Sequence, residues 1–539
     1  MPPTLQDALQ FHQAGELARA AQLYREILTA DPRHADAYHL LGVLMHQMQH
    51  CEAAVELIGH AIQINEGFAP YHNNLGNALV ALGRRDEARA SFQRSINLNR
   101  SADTYINLAT LDLGDGRIRE SKAGFKAALR LSPKRWEGFV GLGRIAKTEG
   151  ENRLARRWFE RALSVKSDCV SALNGLGDLC FEEERFHGAE EFYTQATECL
   201  PSDVDAHLKL GHLHMRLERY PSAAASYGKA YRLLPQNHST AILLGIAHLM
   251  NEDLEAAKEI AARALELDER HPASHQLLGN VLVLGREYEK ALDSFKRSLS
   301  LDPKQHDAMN GMGNAYDGLG DYASAAPAFA SALALQPQNP SYLQNVGINL
   351  SRQGDCRALT FFDRAIALAP NNADAHIALA VCLLSFGDYK RGFAEYEWRW
   401  RSPPFSKQHR QYDEPLWDGS PLLGKTIFLH AEQGLGDTLQ FVRFLPQVAR
   451  LGGTILLLVQ PQLFRLYESL EGIHACLRQG VDPLPAFEVH CPLLSLPAVL
   501  GTQLQTIPEP IDLRAVVGVG QQRPLKTVLN VGLSWAGNP

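Results

Sequence analysis

Residues 76–95 read GNALVALGRRDEARASFQRS. In that stretch Gly76 is followed twelve positions later by Ala88, then by the ring of Phe92 and the small Ser95. The same phase recurs along the chain. Its two leading small positions are Gly42/Ala54, Ala109/Ser121, Gly143/Ala155, Gly177/Ala189, Gly211/Ala223, Gly245/Ala257, Gly279/Ala291, Gly313/Ala325 and, one residue shorter, Gly347/Ala358. Ala8/Ala20 extends the register in front and Ala380/Gly392 behind. Successive units are mostly 34 residues apart, with 33 from Gly76 to Ala109. The large position is filled by Tyr24, Phe125, Phe159, Tyr193, Tyr227, Phe295, Phe329, Phe362 and Tyr396, and prolines such as Pro133, Pro201 and Pro303 close many units.

Self-similarity at this period means stacked supersecondary units, each too small to bury its own apolar face. Small residues mark close backbone approach of two antiparallel helices, bulky ones fill the gap to the next unit, and proline stops the second helix. The pattern resembles the tetratricopeptide repeat. It covers residues 1–404 as about twelve units, an all-α solenoid that the resemblance implies is a superhelix.

The 539 residues are 45% hydrophobic and 21% charged, with a net charge of −7. That balance gives no whole-molecule electrostatic case for nucleic acid or an anionic membrane. The start lacks a secretory pattern and no apolar run approaches a membrane span, so a cytoplasmic protein with no membrane insertion is expected. Eight scattered cysteines with no C-x-x-C pair suggest neither disulfides nor a zinc ribbon.

Repeat arrays of this kind expose a concave face lined by the first helix of each unit, where proteins or peptides lie. Here that face is rich in amides: Asn73, Asn77, Asn107, Asn174, Gln276, Asn280, Asn310, Asn314 and Asn345, with Asn74 beside them. Residues four apart share a helix face, so such a ladder can hold an extended acceptor backbone without reading its side chains. Solvated residues or bonds between neighbouring units are the competing explanation. The ladder resembles the asparagine-lined groove of the protein O-GlcNAc transferases, which implies protein acceptors. His207, His212 and His214 cluster on one helix, but no carboxylate or thiolate completes a set and no metal is expected.

In the twelfth unit GDYKRGFAEYEWRWRSPPF places Phe393, Tyr396, Trp398 and Trp400 on a helix running to Pro403 and Pro404. A terminal unit must cover its outward face, so these rings are expected to dock the next domain. Residues 405–425 have linker chemistry with Trp417 as an anchor. From 426 to 515 short apolar runs (TIFLHA, TILLLVQ, HACLRQG, FEVHCPLL) alternate with helix-like segments at 438–451 and 463–472. That alternation predicts a parallel sheet with both faces covered, an α/β Rossmann-like half-domain.

Two glycine motifs fall here. Gly419 to Thr426 satisfies the phosphate-loop pattern G-x-x-x-x-G-K-[ST], but Lys425 and Thr426 open a strand where the mechanism needs a helix. The other, AEQGLGDTLQFVRFLP, follows a strand and opens a helix; Leu439 replaces the third glycine of the dinucleotide fingerprint, which gives NAD or FAD little support. Asp437 then stands at the mouth of the sheet, either as an N-cap with Gln440 three residues on, or as a general base for an acceptor hydroxyl.

This segment, with CPLLSLP (491–497) and the terminal VGLSWAGNP, resembles the acceptor half of bacterial GT-B glycosyltransferases, most closely the ADP-heptose:lipopolysaccharide heptosyltransferase group. The resemblance implies an inverting, metal-independent sugar transfer with Asp437 as catalytic base and Glu432, Gln433, Gly434, Gly436 and Gln440 around the substrate. It also implies a nucleotide-sugar donor, with no permanently bound cofactor. Residues 516–539 then read as a connector and the first strand of a second Rossmann domain, so this chain alone is expected to lack the donor half and to be inactive. The rival expectation is a non-catalytic interaction scaffold.

Overall fold

The computed structural model describes residues 4–402 and 412–511. Expectations on Pro403, Pro404, residues 405–411 and residues 512–539, including VGLSWAGNP, lie outside the described residues. The chain forms two compact units, Met1–Leu267 and Asp268–Pro539.

Among the described residues, eight helix pairs run from Leu5 to Leu267 in the first unit and four from Pro272 to Tyr396 in the second. A typical pair is Ala69–Ala81 with Arg85–Leu98. The repeating prolines stand two residues past the second helices, as Pro133 does after Ile118–Leu131 and Pro303 after Tyr288–Leu301. The turn inside each pair needs one left-handed residue. Gly15, Gly83, Gly116, Gly150, Gly320, Gly354 and Gly387 supply it in seven units, whereas Gln49, Glu184, Glu218, Glu252 and Arg286 adopt the same conformation in the other five.

The periodic residues form the core between paired helices. Tyr24, Phe92, Phe125, Phe159, Tyr227, Phe295 and Phe362 are buried, as are Ala54, Ala88, Ala155 and Ala257. A Cβ added to Gly76 would stand 2.5 Å from Phe92, and one added to Gly143 2.6 Å from Phe159, so each glycine is the floor on which a ring lies. Where the third small position is serine, its hydroxyl is satisfied: Ser95 Oγ donates to the Ala69 carbonyl at 2.9 Å and Ser298 Oγ to the Pro272 carbonyl at 2.8 Å. The unit one residue short has a second helix of only 11 residues, Ala358–Leu368.

The last pair differs from expectation. Its second helix, Tyr389–Tyr396, ends after two turns and the chain tightens into a 3-10 turn, Glu397–Arg401. Phe393 and Tyr396 pack on the core of the following sheet, with Phe393 edge-on to Phe441 at 6.3 Å. Trp398 turns back instead, stacking on His376 of the preceding helix at 3.7 Å.

Beyond it, β1 (Thr426–His430), β2 (Thr454–Val459), β3 (Ala475–Arg478) and β4 (Val489–Pro492) form a parallel sheet in the order β3-β2-β1-β4. On one face Ile427, Leu429, Ile455, Leu457, Val459 and Cys491 meet Phe441, Val442, Leu445 and Val448; on the other Phe428, Leu456, Leu458 and Phe487 cluster with Tyr412. Trp417 is buried in the first of these clusters and its indole N–H donates to the Ser420 carbonyl at 2.9 Å. The expected single helix over 438–451 is three pieces: Leu435–Phe441, a 3-10 turn Val442–Phe444, and Leu445–Ala449. Pro446 lacks the N–H needed to carry one helix across. Likewise only Phe464–Tyr467 of the segment at 463–472 is helical.

Candidate functional site

The first candidate surface is the row of amides on the first helices. Asn107 Nδ2 donates to Asn73 Oδ1 at 3.1 Å, Asn73 Nδ2 to Asn74 Oδ1 at 3.2 Å, and Asn74 pairs with His39 Nε2 at 2.8 Å. In the second unit Asn345 Nδ2 donates to Asn310 Oδ1 at 2.9 Å. The bonds from Asn107, Asn74 and Asn345 therefore cross to the adjacent repeat, each one residue out of phase with the period, whereas Asn73–Asn74 lies within one helix, and the half-buried amides keep further donor and acceptor capacity. Asn174 is buried and turned to carboxylates, donating to Asp203 at 3.0 Å and Asp205 at 3.3 Å. Asn77, Gln276, Asn280 and Asn314 are half-buried on the same helices.

Four histidines on these helices serve the backbone. His72, His207, His275 and His376 each place Nε2 on the carbonyl six residues earlier, at 2.8 to 3.1 Å. His214 meets Glu190 at 3.3 Å, and His212 lies edge-on to Tyr227.

The second candidate is the mouth of the sheet. The chain leaves β1 toward β2 and β3, then returns to place β4 on the other side of β1, so the crevice of an open parallel sheet falls at the carboxyl ends of β1 and β4. Glu432 follows β1 and Ser495 follows β4. Glu432 Oε1 accepts the Leu494 N–H at 3.1 Å and bonds Arg399 Nη2 at the same distance. Arg399, from the turn closing the repeats, is fully buried. It also donates to Glu397 at 2.6 Å and Ser495 Oγ at 2.8 Å, and Ser495 donates to the other Glu397 oxygen at 2.9 Å. Burial pushes the Glu432 carboxyl up to about 7 against the pull of Arg399.

The loop after Glu432 is held from below. Gln460, just past β2, donates to the Gln433 carbonyl at 2.8 Å and accepts from Thr438 Oγ1 at 2.9 Å. Asp437 is not the N-cap that its spacing to Gln440 suggested. The helix starts three residues earlier, with Gly434 as N-cap, and Asp437 reaches back to accept the Gly434 N–H at 3.1 Å. Its carboxyl is half-buried and raised by that burial, with the Gly434 N–H opposing. Gly436 faces open space, and Gln440 is half-buried. Tyr396 faces this loop: Gln433 Nε2 reaches its hydroxyl at 3.5 Å, and burial raises its phenol.

The arrangement thus joins Glu432, Gln433 and Ser495 to three groups from the end of the repeats, Tyr396, Glu397 and Arg399, while Asp437 bonds within its own turn. Sequence reasoning missed Arg399, Ser495 and Gln460 as partners of the mouth. One signal was available: arginine alternating with tryptophan in EWRWR, where a docking helix needed apolar residues.

Models of the tetratricopeptide repeat match residues 11–72, 69–101, 140–204, 208–275, 277–340 and 361–393. The chain is a tetratricopeptide-repeat protein. It is similar to the BBSome complex member BBS4 of Bos taurus, 26% identical over 25% of this chain and 26% of that protein. It is also similar to protein FlbA of Caulobacter vibrioides, 38% identical over 17% of this chain and 16% of that protein. The chain thus spans about a quarter or less of the curated relatives it matches. Among solved structures, Cut9 with Hcn1 from the APC/C hetero-tetramer matches at 15% identity, TM-score 0.38, over 70% of this chain and 89% of that one. A thermophilic TPR protein of Thermus thermophilus matches at 22% identity and TM-score 0.32, over 34% of this chain and 99% of that one. The repeat architecture fits a protein–protein interaction scaffold. No helix among the described residues is long and apolar enough to cross a membrane.

Proposed function

We propose that the repeats bind a protein acceptor along the amide-bearing first helices, and that the C-terminal sheet is the acceptor-side half of a GT-B, inverting glycosyltransferase. The observation that carries this reading is Asp437, a half-buried carboxylate of raised basicity beside the crevice of a β3-β2-β1-β4 parallel sheet. A base there takes the proton of an acceptor hydroxyl as the oxygen attacks the sugar carbon, and the nucleoside diphosphate leaves. The donor-binding half would supply the nucleotide-sugar, and no metal is required of this half. Arg399 and Glu432 act as positioning residues, holding the loop that leads into the Asp437 helix against the last repeat.

The test is sugar transfer from nucleotide-sugars to protein by the product of the whole coding sequence. Asp437→Asn keeps an acceptor for the Gly434 N–H and is expected to lower turnover at least a hundredfold with little change in melting temperature. Unimpaired turnover would overturn the base.

A non-catalytic scaffold is the second reading, favoured by the amide rungs, which already pair across neighbouring repeats. Calorimetric titration of nucleotide-sugars into the whole product separates the two, since a scaffold gives no saturable heat.

A further inference from the structure

Charge is distributed unevenly along the first unit. Residues 117–166 carry fourteen lysines and arginines against five aspartates and glutamates, a net +9 in a chain whose total is −7. Several of these cations are neutralised locally: Lys122 by Glu149 at 2.6 Å, Lys147 by Asp178 at 3.0 Å, and Arg156 by Glu183 at 2.8 Å. Arg119, Lys126, Arg130, Arg153 and Arg157 are exposed.

Arg119, Lys122, Lys126 and Arg130 follow one another at three- and four-residue steps on the helix Ile118–Leu131, so they form one row along its surface. The row lines a cleft of about 540 Å³ with Ile118, Ala123 and Glu149. Glu149, the one carboxylate in the lining, is taken up by Lys122, which leaves Arg119, Lys126 and Arg130 to face a ligand.

We propose that this cleft binds an acidic peptide segment of a partner protein. The row spans about 16 Å with steps of roughly 5–6 Å. Carboxylates on alternate residues of an extended peptide stand about 6.6 Å apart, so three of them on a five- or six-residue segment match it. Ile118 at one end supplies an apolar contact for a residue between them. Single-stranded nucleic acid fits less well, because such sites stack bases on aromatic rings and the lining contains none. An anionic bilayer would have to approach the wider surface of a chain that is at −16 outside this segment. The site is separate from the amide row and does not depend on any catalytic reading.

The test is fluorescence anisotropy of a labelled nonapeptide, SESESESES, titrated with the whole chain at low salt. Saturable binding is expected, at least tenfold weaker in Arg119→Ser/Lys126→Ser/Arg130→Ser and abolished when glutamine replaces glutamate in the peptide. Lys229→Ser, an exposed lysine on another second helix, is expected to bind as the parent does. Circular dichroism melting of the triple variant controls for folding. Equal affinity of parent and folded triple variant would overturn the proposal. So would tighter binding of a dT oligonucleotide or of phosphatidylserine vesicles that the same triple variant weakens.

Discussion

The guanidinium of Arg399 lies 3.1 Å from the carboxylate of Glu432, the first residue from the final repeat turn and the second from the loop after β1. Neither side chain is exposed beyond 3%. A buried pair is weak evidence for net stability, because desolvation offsets most of the attraction, but breaking it leaves one charge stranded. Arg399→Met is therefore expected to destabilise this region by about 3 kcal/mol at pH 8, read from urea unfolding followed by tryptophan fluorescence. The loss should be smaller at pH 6, where Glu432 takes up a proton and no longer needs its partner.

The parent protein carries the same sign. The Glu432 carboxyl rises from an ordinary 4.5 to about 7 in the folded chain, so the folded state holds a proton that the unfolded state has released. Its contribution to stability is full below about 4.5 and is lost as pH rises through about 7. Glu432→Gln, which keeps an acceptor for the Leu494 N–H, should flatten the dependence of the unfolding midpoint between pH 5 and 8.

Gly76→Ala tests the packing that defines each repeat. Its methyl would stand 2.5 Å from Phe92, and with both helices fixed by neighbours the ring cannot withdraw without cost. A loss of about 1–3 kcal/mol is expected in thermal unfolding. Phe92→Leu should recover part of it in the double variant, so that the two losses are less than additive.

Five intra-pair turns hold a non-glycine residue in the left-handed region, Glu218 among them at φ 55°. That conformation costs an L residue about 1–2 kcal/mol, partly offset by the extra freedom glycine has when unfolded. Glu218→Gly is expected to raise stability by about 0.5–1 kcal/mol. The comparison is with Gly150→Glu, which places a side chain at φ 76° and should lower it.

The Asn73–Asn107 rung should appear as a coupling of about 0.5–1.5 kcal/mol in a double-mutant cycle of Asn73→Ala and Asn107→Ala, measured by thermal unfolding. If the same face holds an acceptor peptide, each single variant also weakens peptide binding, whereas a purely structural rung leaves it unchanged once stability is matched.

The repeats were legible because their packing is local. Gly76, Ala88, Phe92 and Ser95 meet within one pair of helices, so sequence distance and spatial contact coincide, and the same four positions recur unit after unit. Tyr396 obeys the period yet is only half-buried, since it faces Gln433 rather than the floor of another repeat. The strands were legible from their apolar runs. The role of Asp437 within its helix was not, because the turn starts at Gly434, three residues before the spacing alone suggested.

The chain's own order of residues thus determined the repeat period, the buried positions inside each pair and the parallel character of the sheet, all consequences of side-chain size and polarity at short separation. Only the tertiary structure decided which groups share the mouth of that sheet. Arg399 and Ser495 are 96 residues apart and bond at 2.8 Å, and nothing periodic relates them. Their meeting follows from the place where β4 returns beside β1, and a buried guanidinium selects whatever acceptors that topology brings within reach.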